Sequence, residues 1–223
     1  MKIIGHIRTD FPEKFGIPRQ SGEVEALQGK IIFEPEYRCV DAIRGLNEFS
    51  HLWLLWEFSE SKSNTWSPTV RPPRLGGNVR MGVFATRSPF RPNPVGLSCV
   101  KLIRIEQDDK LGPVLYVGGI DLLDNTPIYD IKPYLPYTDS HPEASGGFSD
   151  MTREHHLEVF FLEGVEEKVP INILEQLKEV LAQDPRPGYQ RDPLKSYGMK
   201  YAGMNVRFCV DGKKLTVMSV EWL

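Results

Sequence analysis

Seven short runs rich in β-branched and aromatic residues fill the first 134 positions of this 223-residue chain. They are MKIIGHIRT, KIIFEPE, HLWLLWEFS, RMGVFAT, LSCVKLIRI, VLYVGGIDLL and TPIYDIKPY. Clusters of Gly, Pro, Asn and Asp separate them, which is how strands are punctuated. Strands that do not alternate with long helices argue against a doubly wound parallel sheet and predict a mainly β, barrel-like, non-Rossmann fold. The exception is Tyr37 to Leu46, where Val40, Ile43 and Leu46 recur at helical spacing. In HLWLLWEFS both faces are largely apolar, so the strand is expected between layers or in a subunit interface, with Trp53 and Trp56 as core residues rather than base-stacking platforms.

The segment Asp139 to Asp150, DSHPEASGGFSD, is small, polar and without periodicity, and marks the boundary between two units. Residues 1–140 are expected to form the barrel-like domain and 151–223 a small α+β domain. In the second, His156 to Leu162 reads as a strand, and Ile173, Leu174, Leu177, Val180 and Leu181 share one helical face that ends before Pro185. The chain closes on a hairpin, for which Asp211-Gly212 offers the central pair of a type I′ turn.

Hydrophobic residues at 40% and charged residues at 26% are ordinary for a soluble globular protein. No apolar run approaches membrane-spanning length, and the N-terminal MKIIGHIRTDF lacks a signal-peptide apolar region, so a soluble cytoplasmic protein is expected. Cys39, Cys99 and Cys209 are too dispersed for a disulfide framework or a metal clip. Adjacent histidines at 155 and 156 on a strand would point to opposite faces, so no metal site is expected.

Charge distribution is more informative. The chain is acidic overall, at net charge -3. Between Lys62 and Arg104, however, Lys62, Arg71, Arg74, Arg80, Arg87, Arg91, Lys101 and Arg104 occur with no Asp or Glu, and six prolines stiffen the backbone around them. A restricted positive segment in an acidic protein is the pattern of an anion site, and the planar fork of Arg suits phosphate and carboxylate. Glycine-rich nucleotide motifs of the Rossmann and Walker types are absent. Gly96 to Val100, GLSCV, lacks the second glycine of a nucleophile elbow. Asn93-Pro94-Val95 matches the Asn-Pro-Pro-aromatic loop of amino-methyltransferases only superficially.

Two further segments offer chemistry. Phe15 to Gln20, FGIPRQ, is a Gly/Pro-fixed turn presenting Arg19 and Gln20; a plain loop explains it equally well. The second is Asp121 to Pro127, DLLDNTP, in which Asp124-Asn125-Thr126-Pro127 is either part of a site or a good hairpin turn. After it, alternation puts Asp130, Lys132 and Tyr134 on one strand face, a polar stripe that is either solvated or suited to proton handling beside a bound anion. Near the C-terminus, DPRPGYQRDPLKSYGMKYAGMNVRF interleaves basic residues with tyrosines, as single-stranded RNA binding requires and as a polar loop also permits.

Taken jointly and in this order, FGIPRQ, FSHLWLLWEF, VRPPRLGG, GVFATRSPFRPNPVGLS and DLLDNTPIYDIKPYLPYTD resemble the TrmO family of tRNA N6-methyladenosine methyltransferases. The resemblance covers about the first 140 residues, and DPRPGYQRD looks like the family's bacterial C-terminal domain. It implies an S-adenosylmethionine-dependent homodimer acting on threonylcarbamoylated adenosine next to the anticodon of threonine tRNA. Carried over by position, the cofactor contacts are Pro18, Arg19, Gln20, Ser59, Glu60, Arg87, Leu97, Asp124, Asn125, Thr126 and Pro127. The acceptor nitrogen must lose a proton as it is methylated, so a cation and a base are needed. Arg91 or Lys132 is expected to supply the charge and Asp130 the base, with a structural salt bridge from Asp130 to Lys132 or an Arg as the rival role. Arg71 and Arg74 would hold tRNA phosphates or the threonyl carboxylate, and Tyr189 and Arg191 the anticodon arm. A non-catalytic RNA-binding module is the alternative; it would keep the arginines but show no cofactor affinity.

Overall fold

The computed structural model describes residues 1–61, 65–75, 78–152, 156–186 and 192–223. Six strands close into an antiparallel barrel in the order β1 (Gly5–Arg8), β2 (Gln28–Phe33), β7 (Gly112–Gly118), β6 (Val95–Asp108), β3 (His51–Glu57) and β8 (Thr126–Pro133), with β8 pairing back to β1. Closure leaves these strands without a free edge. Alternation decides what fills the interior: Leu52, Leu54 and Trp56 point in from β3, paired with Val100, Ser98 and Gly96 of β6. Ile7, Ile31 and Leu115 form another inward layer, each fully buried. Each such aliphatic side chain contributes about 1.5–3 kcal/mol on burial. Trp56 is buried as expected, whereas Trp53 lies on the outward face of β3, half-buried, and donates its indole N–H to Asp139 Oδ2 at 2.9 Å.

Between β3 and β6 the arginine-bearing segment leaves the barrel and forms only a two-stranded ribbon, β4 (Thr69–Val70) with β5 (Met81–Gly82). The strand expected at Arg80 to Thr86 therefore ends after Gly82, where a 3₁₀ turn, Val83–Ala85, buries Val83. The helical spacing of Tyr37 to Leu46 yields no α-helix either. It is broken into 3₁₀ turns at Pro35–Tyr37, Val40–Ile43 and Leu46–Glu48, because Gly45 takes a left-handed conformation (φ 81°) between the last two.

After the short helix α1 (Pro136–Asp139), the C-terminal unit is a sheet in the order β10 (Tyr197–Tyr201), β11 (Met204–Asp211), β12 (Lys214–Trp222) and β9 (Glu158–Phe161). Helix α2 (Ile171–Ala182) buries Leu174, Leu177, Val180 and Leu181, four of the five residues predicted for its apolar face. The β11–β12 hairpin differs from expectation in one detail. Asp211 pairs with Lys214 inside the ladder, so the central pair is Gly212-Lys213, and only Gly212 has positive φ (58°). Glycine at the first central position is the type II′ pattern, not type I′.

Candidate active site

The loop from β1 to β2 carries FGIPRQ and is pinned on two sides. Phe15 stacks on Tyr197 and Phe208 of the C-terminal sheet, with ring centroids 6.5 and 6.3 Å away and planes within 13°. Gly16 has φ +100°, and a Cβ there would collide with Met199 Sδ, so both backbone and space demand glycine. On the barrel side, Cys99 N–H donates to Ser21 Oγ at 3.0 Å and Gly22 N–H to the Gly119 carbonyl at 2.9 Å. Pro18, Arg19 and Gln20 are thereby held at the rim of a cleft of about 630 Å³ at one end of the barrel.

The opposite rim is Phe58 to Ser61, where Lys14 Nζ bonds the Glu60 carbonyl and, at 3.0 Å, Ser61 Oγ. Arg87 reaches across to donate to Gln20 Oε1, and Arg91 donates to the Thr86 carbonyl at 3.1 Å. The floor is built from Trp56, Gly96 and Asp121. Gly96 is required by space: a Cβ would fall within the Trp56 ring. Trp56 also packs on Phe58 at 4.3 Å between centroids.

Beneath this floor lies a polar relay inside an otherwise apolar barrel. Trp56 Nε1–H donates to Ser98 Oγ at 2.9 Å, and Ser98 Oγ–H donates to Asp121 Oδ1 at 2.6 Å. Ser98 is fully buried, and a buried hydroxyl requires such partners. Burial pushes the Asp121 carboxyl up to about 6, against the opposing pull of the Ser98 hydroxyl, backbone N–H groups including that of Ser21, and Arg87.

Of the residues expected from sequence, the cleft brings together Pro18, Arg19, Gln20, Ser59, Glu60, Arg87, Arg91, Leu97 and Thr126. The rest of the Asp124–Pro127 run lies outside its lining. Asp124 Oδ1 accepts from Thr9 N–H and pairs with Arg8 Nε, both at 2.9 Å; Asn125 takes a left-handed turn conformation (φ 62°); Pro127 is buried. This run is thus mostly the turn into β8. Asp130 and Lys132 are likewise outside the lining. Strand alternation sets them on the barrel's outward face opposite Leu55 and Trp53, where they form the 2.9 Å salt bridge weighed as the rival role. Arg71 lines a second, larger groove of about 1280 Å³ with Arg80, Phe84 and Phe90, and this groove shares Arg19, Gln20, Thr86, Arg87 and Pro89 with the cleft. The side chain of Arg74, together with His155, Tyr189 and Arg191, falls outside the described residues. Among the described residues no group of three His, Cys, Asp or Glu side chains could hold a metal ion.

Sequence reasoning passed over Trp56, Gly96 and Glu57 as cleft residues, and within the Asp121–Pro127 segment it assigns contacts to Asp124–Pro127 and none to Asp121. The available signal was Ser98, a lone hydroxyl on the inward face of a strand whose inward neighbours are Gly96 and Val100. The lining suits a molecule with an anionic end, an apolar planar group and a cation. Arg19 and Arg87 offer forked donors, Leu97 (47% exposed) offers an apolar surface, and Glu57 offers a carboxylate for the cation. The volume lies within the range of cofactor sites.

Comparison with known proteins identifies the family. The family profile described as the tRNA-methyltransferase O N-terminal domain matches residues 6–140, and that of the TrmO C-terminal domain matches residues 154–222. The tRNA (adenine(37)-N6)-methyltransferase of Escherichia coli (strain K12) is 44% identical over 226 residues, covering 98% of this chain and 96% of that protein. A putative S-adenosylmethionine-dependent methyltransferase RcsF of Pseudomonas aeruginosa is 40% identical, covering 92% and 90%. The crystal structure of TrmO from Pseudomonas aeruginosa superposes with a TM-score of 0.80 at 33% identity, covering 99% of this chain and 96% of that one.

Proposed function

The chain belongs to the tRNA-methyltransferase O family, and from that premise we propose that it methylates N6 of a threonylcarbamoylated adenosine at position 37 of threonine tRNA. It is an S-adenosylmethionine-dependent tRNA methyltransferase. The observation that supports a tRNA substrate is continuity: the cleft shares residues with the arginine groove; the threonylcarbamoyl group and the threonine tRNA follow from the family resemblance. A cofactor held in the cleft would thus meet a polyanion held in the groove.

S-adenosylmethionine, when bound, supplies an electrophilic methyl group on a sulfonium. The chain's residues have to bind, orient and desolvate. Arg19 and Arg87 would hold the cofactor carboxylate, Leu97 would pack on its adenine, and Pro18, Gln20, Ser59, Glu60 and Thr126 would line the remainder. In-line transfer then depends on holding the acceptor nitrogen near the methyl, the main source of rate in such reactions. Arg91, at the cleft wall, steadies charge on the acceptor. Phe84 of the groove stacks on Trp66 at 6.4 Å, and with 73% and 51% exposure these rings offer faces to unstacked bases. Arg71 and Arg80 hold phosphates or the threonyl carboxylate beside them. Residues 1–140 form the catalytic domain in this reading, and residues 151–223, through Tyr189 and Arg191, hold the anticodon arm. The enzyme works as a homodimer in the cytoplasm.

The test is to incubate the protein and S-adenosylmethionine with threonine tRNA carrying or lacking the threonylcarbamoyl group, and to weigh the nucleoside at position 37. One added methyl on the modified tRNA alone is expected. No methyl and no cofactor binding by calorimetry would return the chain to the RNA-binding-module reading. Two substitutions separate the subsites. Arg87→Ala is expected to weaken S-adenosylmethionine about ten- to a hundredfold through loss of a charge-assisted fork, as read by calorimetry. Arg71→Ala should leave that affinity nearly intact while weakening tRNA and lowering the log–log salt slope by roughly 0.7. Equal loss of both ligands in Arg71→Ala would defeat the division.

A further inference from the structure

The methylated nitrogen has to surrender a proton, and the carboxylate on the cleft floor is Asp121. Its surroundings are directional. An indole nitrogen can only donate, so Trp56 Nε1–H occupies Ser98 Oγ as an acceptor, and the Ser98 hydrogen is committed to Asp121 Oδ1. The relay therefore presents Asp121 as an acceptor, held from behind by two buried side chains. Asp130 is spent on Lys132 outside the cleft. Arg87 faces Asp121 from the 83–91 segment, Ser98 from β6, and the backbone N–H of Ser21 from the β1–β2 loop. The other charged groups lining the cleft are Lys14, Arg19, Glu57, Glu60 and Arg91. Glu57 is also engaged by Tyr129, whose hydroxyl hydrogen-bonds to it.

We infer that Asp121 is the catalytic base of the methyl transfer, taking the N6 proton of the acceptor adenosine, with Ser98 and Trp56 as positioning residues that act through it. The inference rests on the methyltransferase reading above. In the step, the N6–H bond breaks toward the Asp121 carboxylate and the nitrogen pair forms the new bond to the methyl carbon. The pair of the cleaved carbon–sulfur bond stays on sulfur, giving a neutral thioether. Protonated Asp121 then returns its proton to water. A carboxyl raised to about 6 is well matched to this, since it is ionised at neutral pH yet basic enough to accept.

The experiment follows single-turnover methylation of threonylcarbamoylated tRNA from pH 5 to 9, beside S-adenosylmethionine calorimetry and a carbon-13 NMR titration of the Asp carboxyls in the free protein. Wild type is expected to lose rate below about pH 6, in step with the Asp121 resonance. Asp121→Asn should bind cofactor within a few-fold of wild type, lose roughly a hundred- to ten-thousandfold in rate, and lose the acidic limb. Ser98→Ala removes one donor to the carboxylate. Its limb and its Asp121 resonance should both move up by roughly one pH unit, with the rate recovering at high pH. A limb that persists in Asp121→Asn, or one unmoved in Ser98→Ala, overturns the inference while leaving the methyltransferase reading intact. So does an Asp121→Asn enzyme that fails only in cofactor binding. Absence of methylation by wild type strikes both.

Discussion

Gly96→Ala is expected to lower the melting temperature by roughly 10 °C and to abolish high-affinity binding of S-adenosylmethionine. Gly96 sits opposite Trp56 in the β3–β6 ladder, and an added methyl group would fall within the indole. The ring cannot step aside cheaply. It is buried, packed on Phe58, and committed by its N–H to Ser98. Overpacking of this kind costs about 1–3 kcal/mol, and leaving the Ser98 hydroxyl without its donor adds about 1–3 kcal/mol. Because the displaced ring is also the cleft floor, stability and cofactor affinity should fall together. Thermal unfolding and calorimetry check this directly. A variant melting within about 2 °C of wild type, as an ordinary surface substitution does, would show that the ring is not fixed as described.

Asp121→Asn should have the opposite effect on stability. A mostly buried carboxyl with a folded-state pKa near 6, against 3.8 when unfolded, holds a proton in the native state that the unfolded chain has released across that window. Stability therefore falls as pH rises from about 4 to about 6, and above it the ionised group costs the fold at most about 3 kcal/mol. Asparagine carries no charge and keeps an oxygen to accept the Ser98 hydrogen. The variant is accordingly expected to be more stable than wild type at pH 8 by up to that amount, and equal to it near pH 4. Urea unfolding at the two pH values reads the difference; equal or lower stability at pH 8 would mean that the carboxylate is well solvated. A residue whose removal strengthens the fold is one retained for another reason, which is the pattern of a functional site.

Much of the barrel was legible because β-branched and aromatic runs are punctuated by Gly, Pro, Asn and Asp. The inward face of β3 was not, since both faces of HLWLLWEFS are largely apolar and only closure of the barrel buries Leu52, Leu54 and Trp56 rather than Trp53. The failures have local causes. Val40, Ile43 and Leu46 carry helical spacing, but Gly45 breaks the run in its left-handed conformation, which spacing alone does not register. Asp211-Gly212 contains the right residues for a tight hairpin, yet the register of β11 against β12 moves the turn on by one. In the candidate site, the Arg87–Arg91 segment stands out by its charge, whereas FGIPRQ, which a plain loop explains equally well, is singled out by the family resemblance. Asp121 receives a role from neither. It acquires its character from burial above Ser98, 23 positions back in the chain, and that juxtaposition exists only once the barrel is closed. Conversely, Asp130 and Lys132 look chemical in sequence but satisfy each other on the outer face.

The contact of Phe15 and Gly16 with Tyr197, Met199 and Phe208 has a consequence for how this protein can change over time. Among the described residues the C-terminal sheet contributes none to the cleft lining, yet the loop bearing Pro18, Arg19 and Gln20 is moulded against it. Neither half can drift freely, because a core substitution at Met199 is inherited as a defect in a pocket it never touches. The two units are bound to a shared history: the barrel can accept a new C-terminal partner only if the newcomer reproduces that small patch of rings and sulfur.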